Sequence, residues 1–212
     1  MEEGSVTRRG RPWPAWVLEG LFIVVSVLLG FGVAQFGEYR SDQELAARAL
    51  AGLLAELEHN SSVLEPLVPI HRAWVEALAN PPEPVTGGAG IDVWFATRPA
   101  MPPGAPSSFP FLRRSAWDAA LSGGALRLID YDVVSALSEI YRVQEITEAN
   151  VDRLAEGALS STATYDPTMR NASVRLLWLT LADIESAESL LVDLYRERLP
   201  VIRDAGGDAV LR

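Results

Sequence analysis

Cysteine is absent from this chain of 212 residues, which excludes disulfides, thiolate nucleophiles, iron–sulfur clusters and zinc ribbons. Any fold formed outside the cytosol therefore rests on packing alone. Lysine is absent too: all 18 basic residues are arginine, which we read as the codon usage of a GC-rich genome and not as chemistry. Catalytic signatures are also missing. There is no Gly-x-Ser-x-Gly elbow, no His-Glu-x-x-His pair and no phosphate loop ending in lysine. Gly87-Gly88-Ala89-Gly90 follows no strand pattern and precedes no helical one, so it reads as a loop and not as a dinucleotide fingerprint. Histidine occurs only at His59 and His71, which would need Glu56 or Glu76 to complete a metal site and read as surface residues near helix ends. We expect no catalytic residue, no metal and no cofactor. Positive charge is scarce: the net charge is -10, and beyond Arg40 24 acidic residues face 14 arginines, so nucleic acid is not an expected partner.

What the chain does have is one long apolar run. Residues 16–39 read as a single transmembrane helix, because Val17 to Gly37 spans roughly 30 Å at about 1.5 Å per residue, the thickness of a bilayer's hydrocarbon core. Arg8, Arg9 and Arg11 precede it, while Glu38, Arg40, Asp42 and Glu44 follow. The positive-inside bias then puts the tail of residues 1–15 in the cytoplasm and residues 40–212 in the periplasm. Pro14 suits a first helical turn, and Trp13, Trp16, Phe36 and Tyr39 suit the two interfaces. Glu19 reads as an interfacial carboxylate. A cleavable signal peptide ending at Gly32-Val33-Ala34 is the competing reading, disfavoured by the length of the apolar run. Ser26, Gly30 and Ala34 recur at four-residue spacing on one helix face and are the candidate surface for packing against another membrane helix. No histidine lies in the span, so direct haem or pigment ligation is not expected.

Beyond the membrane run the periodicity is helical. Leu45, Leu50, Leu53, Leu54 and Leu57 predict a helix over 41–60, either continuous with the membrane helix or newly started by a Ser41/Glu44 capping box. Val63, Leu64, Leu67, Ile70, Trp74, Val75 and Leu78 give a second stripe, broken near Pro66 and Pro69 and folding back as an antiparallel hairpin. From 80 to 110 prolines and glycines dominate, which predicts a long loop. Its Trp94, Phe95, Phe109 and Phe111 are the candidate partner-docking residues, against the plainer reading that they fold back on their own bundle. A short amphipathic helix at Arg114 to Leu121 stops at Gly123-Gly124. Asp130 or Asp132 then caps a helix carrying Val134, Leu137, Ile140, Tyr141 and Ile146, a role preferred over paired catalytic carboxylates. Arg113-Arg114 reads as a solvated pair and not as a clasp for an acidic partner or headgroup. The last helix runs from Ser173 to Leu199, with Leu176, Leu177, Leu181, Ile184, Leu190, Leu191 and Leu194 inward and Pro200 after it. Strand patterns are nearly absent, so the expected fold is all-α: one membrane helix and a bundle of about four main helices.

Glu38-Tyr39-Arg40 after the anchor, Leu53-Leu54-Ala55-Glu56-Leu57, and the Ala116-Trp117 to Tyr141 stretch resemble a group of uncharacterised bacterial single-pass membrane proteins with a helical periplasmic domain. The resemblance covers most of the chain apart from the proline-rich loop and departs from it at Phe36, where the group has tryptophan. It implies architecture and no established activity. The small-residue helix face, the aromatic proline-rich loop and the missing catalytic constellation make the expected function that of a non-enzymatic accessory subunit. Such a subunit would brace a respiratory, secretion or photosynthetic complex of the bacterial inner membrane, with other membrane subunits and the lipid bilayer as partners. A periplasmic ligand-sensing module is the alternative.

Overall fold

The computed structural model describes residues 15–80, 88–99 and 109–210; of residues 15–18, 34 and 206–210 it describes the backbone alone. Arg8, Arg9 and Arg11 lie outside the described residues, as does most of the proline-rich segment. The described residues are helical throughout, with no strand. Seven α-helices follow in order: α1 (Ala15–Leu64), α2 (Val68–Ala79), α3 (Gly90–Thr97), α4 (Ser115–Ser122), α5 (Tyr131–Asp152), α6 (Thr162–Tyr165) and α7 (Arg170–Val210). The chain divides into two units, Met1–Glu44 and Leu45–Arg212.

The first unit contains one helix long and apolar enough to cross a membrane, with a window of mean hydropathy 2.1 that is 0% buried. Ser26 donates its hydroxyl to the Phe22 carbonyl at 2.7 Å, so this polar group is satisfied inside its own helix, as an apolar solvent demands. α1 runs through Ser41 without a break, so the Ser41/Glu44 pair does not start a new helix. Four-residue hydrogen bonding continues there because no proline or glycine follows Gly37 until Gly52.

In the second unit the core forms two clusters, both reaching α7. The first joins Leu50, Leu53, Leu57 and Leu64 of α1 to Val133, Leu137, Ile140 and Tyr141 of α5 and to Leu191, Tyr195, Leu199 and Ile202 of α7. The second joins Trp74 and Leu78 of α2 to Val93 and Trp94 of α3, to Leu154 and Ala158, and to Leu177, Leu181 and Ile184 of α7. The 3.6-residue stripes account for this burial, although Leu45, Ile146, Leu176 and Leu190, expected inward, are exposed at the edges of their stripes.

Three local expectations fail for physical reasons. The 80–110 stretch contains α3, whose first residue is Gly90, so a helix does follow the glycine run. Asp92 at the third helical position accepts from the Ala89 backbone N–H at 2.7 Å and closes the helix start. Gly90 is required by close approach, since a Cβ there would meet the Ser173 Cβ at 2.5 Å. Pro200 lies inside α7 and does not end it. An interior proline costs about 3 kcal/mol, and the burial of Leu199 and Ile202 on either side, worth about 1.5–3 kcal/mol each, offsets it. α7 also begins at Arg170, a turn before Ser173. Pro69, by contrast, sits harmlessly in the first turn of α2. Gly124, at φ 70, turns the chain between α4 and the 3-10 turn Ala125–Leu128 in a left-handed conformation that a side chain resists. After α5 the chain widens into a π-helical stretch, Arg153–Leu159.

Candidate functional site

α2 places Trp74 and His71 on one face, three residues apart, and α3 brings Trp94 against Trp74 with ring centroids 4.1 Å apart. Phe109 returns from the far side of the proline-rich segment. It stacks on His71 at 4.9 Å and lies near parallel to Trp74 at 6.2 Å. The Arg98 guanidinium stands 5.9 Å over the Trp74 ring, within cation–π range. Trp74, Trp94, Arg98 and Phe109, with Ile91, Phe95, Leu159 and Tyr165, line an open cavity of about 360 Å³. Among the described residues no acidic side chain lines it. The Trp74 indole N–H is buried without an acceptor. Chemically this is a place for a planar apolar body bearing an acceptor, not for proton transfer.

Behind the aromatic wall lies a buried histidine–carboxyl pair. His71 Nδ1 and Glu188 Oε2 are 2.6 Å apart, and both side chains are almost fully out of water. Burial pushes the Glu188 carboxyl up, and the hydrogen bond from His71 opposes that rise. On the other side of Phe109 a smaller cavity of about 180 Å³ is lined by Leu64, Phe109 to Leu112, Thr147, Glu148, Val151, Asp152 and Glu188. Burial raises the Glu148 carboxyl as well.

Two polar residues of α1, one helical turn apart, fix the segment that carries Phe109 into α4. Asn60 donates to the Arg113 carbonyl at 2.7 Å and accepts from the Arg113 N–H at 2.8 Å, while Gln144 donates to the same carbonyl at 3.0 Å. Glu56, 5% exposed, accepts from the Ser115 hydroxyl at 2.9 Å, the Ala116 N–H at 2.8 Å, the Trp117 N–H at 3.4 Å and the Tyr141 hydroxyl at 2.7 Å. The N-cap residue of α4, Arg114, makes no side-chain cap, so Glu56 caps that helix from another one. Burial, then the bond to Glu56, pushes the Tyr141 hydroxyl pKa far above its ordinary value. Ser115, Ala116, Trp117 and Tyr141, from two other helices, thus meet at the one carboxylate of Glu56.

The four aromatic residues expected to dock a partner divide. Trp94 is 3% exposed and Phe109 half-buried, both within the bundle, whereas Phe95 is 62% and Phe111 94% exposed. Ser26 and Gly30 are exposed on α1, and of Ala34 only the backbone is described. His59 and His71 do not come together, His71 is fully buried instead of lying at the surface, and no group of three metal-ligating side chains occurs among the described residues. Asp130 caps α5 by accepting from the Asp132 N–H at 2.9 Å. Arg114 pairs with Asp118 at 3.3 Å, and Arg113 is exposed. Sequence reasoning missed Glu188 and Tyr165. Glu188 had a readable signal: it stands four residues after Ile184 and three before Leu191, on the buried stripe of α7. Tyr165, on a four-residue helix, had none. Compared with protein-family models, curated proteins and solved structures, the chain matches none.

Proposed function

We propose that this chain is a non-enzymatic single-pass accessory subunit that braces a larger membrane protein complex. In this reading the apolar part of α1 crosses the bacterial inner membrane with its N-terminus in the cytoplasm, and the helical domain stands in the periplasm. The observation that carries it is the apolar run of α1, 0% of which is buried by its own chain, so that lipid and neighbouring helices must cover it. Exposed Phe95, at the aromatic cavity, and Phe111, at the smaller one, supply docking area outside the membrane. The buried titratable groups Glu56, His71, Glu188 and Tyr141 are each engaged in bonds between helices, which suits a scaffold. A second reading, a ligand-sensing module, is favoured by the 360 Å³ aromatic cavity alone.

The test is Gly30→Leu. A Cβ at Gly30 meets nothing within 4 Å, so inside its own chain the larger side chain is free, and helix propensity improves by roughly 0.8–1 kcal/mol. Membrane subunits that co-purify with the wild type in mild detergent should therefore be lost from this variant while the domain keeps its melting temperature. Their retention overturns the packing face. A wild type that purifies alone, with melting that responds to small ligands, favours the sensing module instead.

A further inference from the structure

Most arginines of the helical domain are matched to acceptors. Arg72 pairs with Glu185 at 2.8 Å, Arg198 with Glu139 at 3.2 Å, Arg203 with Glu58 at 2.6 Å, and Arg196 with Glu65. Arg170 and Arg175 have no ion pair among the described residues, as is also true of Arg113, Arg127, Arg142 and Arg153, but these two stand together, in a chain with a net charge of -10. They share one cavity of about 510 Å³ with Asn171 and Trp178, walled by Leu78, Ala79 and Val174. Residues 170, 174 and 178, and residues 171, 175 and 178, follow each other at three- and four-residue steps, so α7 turns this whole set to one side. Among the described residues no acidic side chain lines the cavity. Two of its residues also carry buried donors without an acceptor, Arg170 Nε and Trp178 Nε1. The side-chain polar groups here are donors, the Asn171 carbonyl excepted. Buried donors are ordinarily paired, so the missing component of this site is an acceptor.

We propose that this cavity binds a phosphate group attached to an apolar body. The guanidinium groups of Arg170 and Arg175 present planar forks that match such oxygens, and Trp178, Val174 and Leu78 receive the apolar part. The site lies wholly within the helical domain and is independent of whether α1 crosses a membrane. Its ligand chemistry occurs both in soluble organic phosphates and in lipid headgroups.

The full-length chain in a neutral detergent, titrated calorimetrically with 1-naphthyl phosphate, inorganic phosphate and dihexanoyl phosphatidic acid, separates these. One organic phosphate should bind per chain at least tenfold more tightly than inorganic phosphate. Tighter binding of naphthyl phosphate assigns a soluble ligand, and tighter binding of the lipid assigns a headgroup. R170Q/R175Q should weaken binding at least tenfold and leave the melting temperature without ligand within about 2 °C, since neither side chain has an ion pair to lose. R113Q/R127Q changes the net charge equally at exposed arginines elsewhere and should bind as the wild type does. Absence of saturable binding to both organic phosphates overturns the proposal. So does equal loss in the two double variants, which marks general attraction to positive charge, or inorganic phosphate binding as tightly as the organic ones.

Discussion

Removing the Glu56 carboxylate should destabilise the helical domain more than any surface substitution can. Four donors converge on it: two hydroxyls, at 2.7 and 2.9 Å, and two backbone N–H groups, at 2.8 and 3.4 Å. A hydrogen bond to a charged acceptor is worth about 1.5–3 kcal/mol, but a simple sum overstates the loss. Ser115, Ala116 and Trp117 stand in part-buried surroundings where water can replace the carboxylate, whereas the Tyr141 hydroxyl is buried and would be left unpaired. Glu56→Ala should therefore cost about 3–5 kcal/mol: about 1–3 for the Tyr141 hydroxyl left unpaired, and the rest for three charge-assisted bonds that water replaces only in part. Glu56→Gln keeps one acceptor but turns an amide N–H₂ toward donors, and should cost roughly half as much. Guanidinium unfolding of the full-length chain in detergent, followed by tryptophan emission, measures this directly, because Trp117 stacks on Tyr141 at 4.7 Å. A double-mutant cycle with Tyr141→Phe should show a coupling of about 1–2 kcal/mol. Additive costs, or a Glu56→Ala variant within about 1 kcal/mol of wild type, would refute the assignment of Glu56 as the cap of α4.

His71→Leu leaves the Glu188 carboxylate buried without its partner and should cost about 3–5 kcal/mol, whereas His71→Leu with Glu188→Leu should recover most of it; chemical unfolding of both distinguishes a pair from two independent side chains. Gly90→Ala forces a Cβ to within 2.5 Å of the Ser173 Cβ, so α3 must lift from α7 at a cost of about 1–3 kcal/mol, and increased quenching of Trp94 by acrylamide reports the opened cavity. For Glu148, burial raises the folded carboxyl above its unfolded value of 4.5, so the folded state holds the proton more strongly. Its contribution to stability is present at low pH and is lost as pH rises through the folded value. Glu148→Gln should therefore gain stability relative to wild type as pH rises above about 4.5, and a difference that falls with pH would reverse the sign.

The helical class and the apolar span were readable because both follow from spacing within one segment. Leu50, Leu53 and Leu57, or Leu177, Leu181 and Ile184, declare their buried face without any other part of the chain. The start of α3 was readable in principle, since Asp92 stands three residues after Ala89, but the surrounding prolines and glycines masked eight helical residues. The polar contacts between distant segments were not readable at all. Glu56 reaches Ser115 across 59 residues and Tyr141 across 85, and His71 reaches Glu188 across 117, so no local pattern carries them. The motif around Glu56 could be recognised as a motif, yet its carboxylate meant nothing until α4 was placed beside it. For the aromatic residues the sequence offered two destinations, and the fold uses both: Trp94 is buried against Trp74, while Phe95, the next residue on α3, points to solvent.

The buried polar groups are not scattered. Leucine-rich helices pack by similar ridges at several registers, so apolar burial alone holds α1, α5 and α7 together without fixing how far each is shifted along the others. Glu56, Asn60 and Gln144 bind the Arg113 to Trp117 backbone, and His71 with Glu188 ties α2 to α7. A one-turn slip at either place would strand a charge or two amides away from water, a penalty larger than the gain from any equivalent leucine contact. Short elements benefit most. α4 has eight residues and no cap of its own, and the chain carrying Phe109 into it is held by hydrogen bonds to its backbone. Because Phe109 walls both the aromatic cavity and the smaller acidic one, its position is set by Asn60 from one side and by stacking on His71 from the other. The cavities are therefore as well defined as the polar bonds beneath them, and substitutions at Asn60 or His71 act on both cavities at once.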